Sequence, residues 1–269
     1  HDLNPLLSPD GKILFFSRKN ADENIGGDSD KEDIWYSELG DDGKWTLAKN
    51  MGRSFNNASP NFVNSISSTP DGKSVIMILG NQYRDGKRMA AGVSISSKVG
   101  NEWTKPVTLK IMNEYNLSDK ANYFLANNRQ TLLMSVLRSD SYGDRDLYIS
   151  FMQPDSTWTE PKNLGTVINT AAEESSPFLA ADDKTLFFSS KGFSGYGGSD
   201  IYVSKRLDDT WLNWSEPENM GPQINSPLED LFFNIPTDGE YAYYSRGVTE
   251  KNIDIFRVNL PVLKNPTPW

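Results

Sequence analysis

The sequence predicts an all-β protein, a five-bladed β-propeller, and three observations support that fold class. A small polar turn followed by an apolar strand recurs five times, with an Asp or Asn at residues 10, 71, 128, 182 and 238 marking each turn. The resulting periods of 54 to 61 residues are typical of a radial array of sheets. Aromatic residues form 12% of the chain, and 15 prolines and 20 glycines punctuate it, as many short strands joined by turns require.

Each repeat is predicted to supply four antiparallel strands. The first strand enters the turn, and the second is the apolar run that leaves it, for example residues 13–17. The third strand carries an Asp-apolar-aromatic pattern, as in Asp33-Ile34-Trp35 and Asp200-Ile201-Tyr202. A tryptophan marks the fourth strand, where a large aromatic side chain is expected to fill the wedge between neighbouring blades. These tryptophans are Trp45, Trp103, Trp158 and Trp214.

The repeats predict one propeller domain over residues 1–260, followed by a Pro-rich tail or linker at residues 261–269. The predicted blades cover about residues 1–57, 58–117, 118–170, 171–226 and 227–260. The fifth repeat has no tryptophan-bearing segment after its third strand, so the last blade is expected to lack its outer strand within this chain. Both ends therefore suggest a piece of a longer protein.

Composition narrows the function. With 27 Lys and Arg against 36 Asp and Glu, the chain has a net charge of −9, which argues against a nucleic-acid partner. It has no cysteine, and its single histidine is His1, so a thiolate metal site, a cysteine nucleophile and a histidine-based triad are not expected. The sequence contains no run of 18 apolar residues, so membrane insertion of this chain is not predicted. No cofactor is predicted.

Charged residues recur where the first strand begins and the second ends, which antiparallel pairing places on one face of the propeller. The acids are Asp2, Glu174 and Asp230, and the bases are Arg18, Arg138, Lys191 and Arg246. In one interpretation each acid pairs with the base of its own blade, a contact worth about 0–1 kcal/mol when exposed. In the alternative, the three carboxylates come from blades that are neighbours in a closed ring and act in glycoside hydrolysis. A base beside each acid weakens that alternative, because it would hold the carboxylate ionised.

The loops between the second and third strands carry the predicted contacts with a protein partner. Tyr142, Phe193 and Tyr196 lie there among small polar residues, where an exposed ring is often an anchor, although each could instead fold back onto its own loop. The four bases named above complete this predicted binding face. A weaker alternative is a calcium site formed by Asp28, Asp30, Asp140 and Asp144, whose oxygen atoms suit that ion but whose spacing does not match an EF-hand.

Several motifs resemble the TolB-type propeller repeats of bacterial envelope proteins. They are Ser8-Pro9-Asp10-Gly11-Lys12, Glu174-Ser175-Ser176-Pro177, Gly197-Gly198-Ser199-Asp200-Ile201-Tyr202 and Trp214-Ser215-Glu216-Pro217 with Asn219-Met220-Gly221. The combination is similar to propellers of Bacteroidetes envelope proteins that carry OmpA-like domains, one of which is a lipoprotein of type IX secretion.

The resemblance implies a non-enzymatic interaction module that engages an envelope protein partner. It also implies a periplasmic location, with attachment to the outer membrane or peptidoglycan through parts of the protein outside this chain. A glycan-binding or glycoside-hydrolysing propeller, using the carboxylates of the central funnel, is the alternative function.

Overall fold

The computed structural model describes residues 1–68, 74–84, 89–236, 239–249 and 252–259, and within them the protein is all-β. Each of five small antiparallel sheets forms one blade. Blade 1 contains β1 (Asp2–Leu7), β2 (Ile13–Arg18), β3 (Asp33–Glu38) and β4 (Lys49–Asn50). Blade 2 contains β5 (Val63–Ser68), β6 (Val75–Gln82), β7 (Ala90–Val99), β8 (Glu102–Trp103) and β9 (Val107–Thr108). Blade 3 contains β10 (Asn122–Leu125), β11 (Thr131–Val136), β12 (Asp146–Phe151) and β13 (Lys162–Asn163). Blade 4 contains β14 (Glu174–Leu179), β15 (Thr185–Ser190), β16 (Asp200–Lys205) and β17 (Glu218–Asn219), and blade 5 contains β18 (Asp230–Asn234), β19 (Tyr241–Thr249) and β20 (Asn252–Asn259).

The blades close into a ring, which confirms the predicted five-bladed propeller. The innermost strands contact one another in the order β1, β5, β10, β14, β18 and back to β1. The closing contact includes hydrogen bonds from the Asn4 amide N–H to Ser245 Oγ (3.0 Å) and from Asn234 Nδ2 to the Pro5 carbonyl (2.7 Å). The sheet of blade 5 has three strands among the described residues, as the sequence predicts. Loops that are distant in sequence therefore share one rim.

The core lies between blades. Trp158 and Trp214 are each less than 5% exposed, and each packs in a cluster that joins its own blade to a neighbour. The fourth strand differs from the prediction, however, because β4, β13 and β17 each begin four residues after the tryptophan. In these three blades the tryptophan instead forms an isolated bridge at the end of the third strand. Trp103 alone lies in a described strand, β8, and it packs edge-on against Phe15 of blade 1.

The Asp at the start of the third strand fastens the preceding loop. Asp146 Oδ2 accepts hydrogen bonds from the Tyr142 amide (2.9 Å) and from Asn163 Nδ2 (2.7 Å), and Asp33 makes the same two contacts in blade 1. In blade 4, a Cβ on Gly195 would lie 1.6 Å from Asp200 Oδ2, so only glycine fits that close approach. Buried carboxylates thus help to hold the loops on the rim.

Three parts of the sequence-based description lie outside the described residues: the turn at 69–72, the start of the turn at 237–239, and the tail at 261–269. Among the described residues, no helix is both long and apolar enough to cross a membrane.

Candidate functional site

A funnel of about 520 Å³ opens at the mouth of the ring where the innermost strands begin. Its apolar lining residues include Leu3, Phe62, Leu231 and Phe232. Its wall carries charged side chains from four blades, because the residues just before each innermost strand and the loops between second and third strands meet there. The described charged residues of the wall are Lys19, Lys31, Glu32, Asp119, Lys120, Arg145, Glu173, Lys191 and Glu229.

Two of the funnel carboxylates have contrasting surroundings. Glu173, the residue directly before β14, pairs with Arg145 and with Lys191, and Lys191 Nζ lies 3.1 Å from Glu173 Oε2. Arg145 is itself buried and is positioned by Asn122 and Ser135, so the clamp on Glu173 is built into the wall. Glu32, in the loop that leads into β3, forms one ion pair among the described residues, with Lys19 Nζ 3.7 Å from Oε2, and its side chain is 16% exposed.

These surroundings shift the two pKa values in opposite directions. Burial raises the pKa of Glu32 above its ordinary value, and the contacts with Lys19 and Ser17 offset only part of that effect. Burial would also raise the pKa of Glu173, but Arg145 and Lys191 outweigh it and hold the pKa below its ordinary value. A carboxyl group whose pKa is raised and one whose pKa is lowered therefore line the same cavity. Such a divergence is typical of acid and base assignments in active sites.

The structure places Asp2, Glu174 and Asp230 at the starts of β1, β14 and β18, in contacts that engage their carboxylates. Arg18 donates to both oxygens of Asp2, at 2.8 Å each, and Arg246 Nε donates to Asp230 Oδ1 at 3.0 Å. Glu174 is fully buried and accepts from the Thr170 amide, Thr170 Oγ1 and Ser190 Oγ, each at 2.7 Å. None of these three lines the described funnel wall.

The predicted bases have different roles in the fold. Arg138 is 5% exposed and stacks over the Tyr115 ring at 4.1 Å, with Glu160 Oε1 at 3.3 Å. Lys191 does not pair with Glu174 as the same-blade interpretation expects. It bridges Glu173 and Glu229 across the funnel wall, with Nζ 3.6 Å from Glu229 Oε1.

The three loop aromatics divide into two exposed rings and one that is packed. Tyr142 and Tyr196 are 51% and 50% exposed. Phe193 folds back onto its own blade and contacts the Tyr202 ring at 5.2 Å between centroids. Their assignment as partner contacts stays a prediction.

The acidic loop residues are occupied by local contacts. Asp30 is buried, accepts from the Gly26 amide at 3.0 Å and caps its own loop, and Asp140 accepts from the Tyr148 hydroxyl at 3.1 Å. Asp144 accepts from the Arg145 amide at 2.8 Å, and the side chain of Asp28 lies outside the described part. Within the described chain no three His, Cys, Asp or Glu residues form a cluster that could hold a metal ion.

Sequence reasoning did not select Glu32, Glu173 or Glu229 as catalytic candidates. Each stands directly before an acid that it did emphasise, Asp33, Glu174 and Asp230. Adjacent residues of a strand point in opposite directions, so the first member of each pair can reach the funnel while the second is buried in the blade. The sequence does show two adjacent acids at each of these positions. Which of the two faces the funnel depends on the residue at which the strand begins to pair with its neighbour.

A second cavity of about 470 Å³ opens at the opposite mouth of the ring. Four residues of the innermost strands line both cavities and form the waist between them. These waist residues are Asn4, Asn122, Ser176 and Phe232. The two cavities therefore meet along the propeller axis.

Comparison with known proteins supports the predicted fold and favours the alternative of the two predicted functions. No family model matches the sequence, and no curated protein matches it at a significant level. The structure is similar to the endo-arabinase of Bacteroides thetaiotaomicron, with a TM-score of 0.58, 12% identity, and coverage of 97% of this chain and 95% of that one. It is also similar to a family 117 glycoside hydrolase of Zobellia galactanivorans, with a TM-score of 0.57, 12% identity, and coverage of 100% and 88%. A TolB-type protein of Agrobacterium tumefaciens gives a TM-score of 0.52 at 12% identity, covering 97% and 77%.

At this identity the similarity establishes the fold, a five-bladed propeller with a TolB-type protein among its neighbours. The similar structures also include an arabinofuranosidase, a xylosidase and family 43 glycoside hydrolases. The sequence-based prediction of a non-enzymatic interaction module is therefore wrong, because most of these neighbours are glycoside hydrolases. The alternative of a glycan-active propeller with funnel carboxylates has the better support.

Proposed function

We propose that this protein hydrolyses a glycosidic bond in the axial funnel, with Glu32 as proton donor and Glu173 as the ionised carboxylate. The observation that carries the proposal is the placement of these two groups in one cavity. Glu32 has a single, longer ion pair among the described residues, to Lys19 at 3.7 Å, whereas Glu173 is clamped between Arg145 and Lys191. Two carboxyl groups with divided roles are what most glycoside hydrolases use.

The proposed chemistry needs a proton at the leaving oxygen and negative charge near the sugar ring. Glu32 passes its proton to the glycosidic oxygen as the C–O bond breaks, and Glu173 stabilises the positive charge that develops on the ring. Water then supplies the hydroxyl group to the anomeric carbon, and its remaining proton restores Glu32 to the acid form. The apolar lining residues Leu3, Phe62 and Leu231 offer a surface for the C–H face of a sugar.

The names of the structural neighbours suggest which probes to use first. The panel contains chromogenic α-L-arabinofuranoside and β-D-xyloside, together with reducing-sugar assays on arabinan and xylan. We expect wild-type protein to cleave at least one of them. Glu32→Gln and Glu173→Gln should each lower kcat/KM by about a hundredfold or more. Glu38→Gln is the matched control, because Glu38 pairs with Lys49 on the outer strands and lies away from the funnel.

The pH profile provides an independent test. Activity should fall as pH rises through the raised pKa of Glu32, since the acid loses its proton, and as pH falls through the lowered pKa of Glu173, since the carboxylate is neutralised. Glu32→Gln should remove the alkaline limb from the residual activity. Wild-type protein that binds these glycans without turnover would contradict hydrolysis, and unchanged activity in Glu32→Gln would contradict the assignment of the acid.

The periplasmic location, and attachment through OmpA-like or other parts outside this chain, remain proposals that the TolB-type motifs support. Fractionation of the native source with an antibody to this domain tests them. Recovery in the cytoplasmic fraction would contradict the location.

A further inference from the structure

The waist of the propeller contains an aromatic residue in a backbone conformation that does not suit it. The innermost strands of blades 1, 4 and 5 each carry a β-bulge, and the first bulged residue has a positive φ in all three. These residues are Asn4 (φ 53°), Ser176 (φ 52°) and Phe232 (φ 59°). Asn tolerates this left-handed region because its short polar side chain bonds locally, whereas a bulky side chain there is strained.

Core packing does not explain the choice of phenylalanine. The next residue, Phe233, is the core residue of this strand: it is 2% exposed and contacts the Phe187 ring at 4.8 Å between centroids. Phe232 is half-buried and belongs to no core cluster or aromatic pair among the described residues. It lines both the funnel and the opposite cavity. A strained residue that faces a cavity rather than the core points to a role in binding.

Polar groups suitable for sugar hydroxyls surround the same position. Ser176, which occupies the equivalent bulge position in blade 4, is 6% exposed and lines both cavities. Its Oγ has no hydrogen-bond partner among the described residues. A hydroxyl group of this kind is costly to leave unpaired, and a ligand hydroxyl at the waist would satisfy it.

We propose that Phe232 is the stacking platform for a sugar ring at the base of the funnel, with Ser176 Oγ bonding one of its hydroxyl groups. The inference rests on the proposed glycan-hydrolysing function and adds the residue that holds the sugar. The flat C–H face of a pyranose or furanose ring packs on the aromatic face, and its edge hydroxyls turn to the polar waist. The strain at residue 232 is then retained because only an aromatic ring gives this surface.

The test measures binding and stability in the same set of variants. Phe232→Asn installs the residue that blade 1 uses at the equivalent position, so it relieves the backbone strain and removes the ring. Phe232→Tyr keeps the ring, and Tyr142→Asn removes an exposed aromatic outside the funnel wall. Each change is made in the Glu32→Gln background, and binding of arabinotriose and xylotriose is measured by calorimetry alongside Tm.

We expect Phe232→Asn to bind about tenfold more weakly while its Tm stays the same or rises by about 2 °C. Phe232→Tyr and Tyr142→Asn should bind like the parent. Unchanged binding in Phe232→Asn, or a fall in its Tm of more than about 4 °C, would overturn the platform and leave the hydrolase proposal standing. Failure of wild-type protein to bind or cleave any glycan in the panel would overturn both.

Discussion

Glu173 and Glu174 are adjacent in sequence, yet they belong to two different regions of the molecule. Glu173 lines the funnel and bonds to cations that also face the cavity. Glu174 lies beneath it, fully buried, with its carboxylate bound by Thr170 and Ser190. The difference shows that a rim rich in acids contains two populations: one holds the loops to the blades, and the other is available to a ligand.

The largest effect expected from this division is on stability. Glu174→Ala leaves the Thr170 amide and two hydroxyl groups without their acceptor and opens a cavity, so it should lower the free energy of unfolding by about 3 kcal/mol. Urea denaturation measures the change. The control is Glu229→Gln in the funnel, where the side chain is 38% exposed, and it should stay within about 0.5 kcal/mol. Equal losses in the two variants would remove the distinction between the regions.

Glu114 is a third kind of carboxyl group, because it is partly shielded from solvent and its pKa is not lowered by a neighbouring cation. Burial raises the pKa of Glu114 to about 7, only partly offset by a hydrogen bond from Tyr123, and Oε1 has no partner among the described residues. Between about pH 4.5 and 7 the folded protein therefore holds a proton that the unfolded chain has lost, so stability falls as pH rises through this window. A shift from 4.5 to about 7 corresponds to about 3 kcal/mol, and because Glu114 is partly open to solvent, Glu114→Gln should remove about 2 kcal/mol of that fall.

The measurement is urea denaturation of wild-type protein and Glu114→Gln at several pH values from 4 to 8. The two proteins should be similar at the acid end, and the variant should be the more stable above pH 7. Parallel curves across the range would show that Glu114 ionises normally.

The smallest effect is expected where the pair is partly open to solvent. Asp2 and Arg18 are 31% and 28% exposed, so Asp2→Asn should cost less than about 1 kcal/mol despite the two 2.8 Å contacts. The loss should shrink further at 1 M salt, where exposed charges are screened. A loss as large as that of Glu174→Ala would place Asp2 with the buried structural acids.

Much of the architecture could be predicted from the sequence because the repeat carries its own physical reason. Short apolar runs, turns at a nearly constant period and an Asp near the start of the third strand in four of the five repeats predict short sheets. One such sheet alone cannot bury both of its faces, so the sheets must pack against one another. The position of the outer strands could not be predicted in the same way. The sequence predicts Trp158 in the fourth strand of its blade. In the structure it packs between blades and precedes that strand, which is Lys162–Asn163.

The candidate site was the least predictable part. Acids and bases on one rim are visible in the sequence, but each has several possible partners. Small differences in the distances between the folded side chains decide which of them pair. Lys191 shows this, because same-blade pairing favours Glu174, whereas the folded side chain reaches Glu173 and Glu229. The raised pKa of Glu32 likewise depends on its burial, which exists only in the folded chain.

The sequence by itself determined the number of blades, the all-β class and the face on which charged residues gather, since periodicity and turn chemistry are local properties. Only the tertiary structure decided which member of each acidic pair enters the funnel and that Phe232, rather than Phe233, faces the axis. For the acidic pairs, which come before any bulge, the physical reason is the residue at which strand pairing begins. For Phe232 and Phe233 it is the β-bulge in β18. One extra residue in an innermost strand reverses the facing of the side chains that follow it, and the pattern of residue types does not reveal where that extra residue lies.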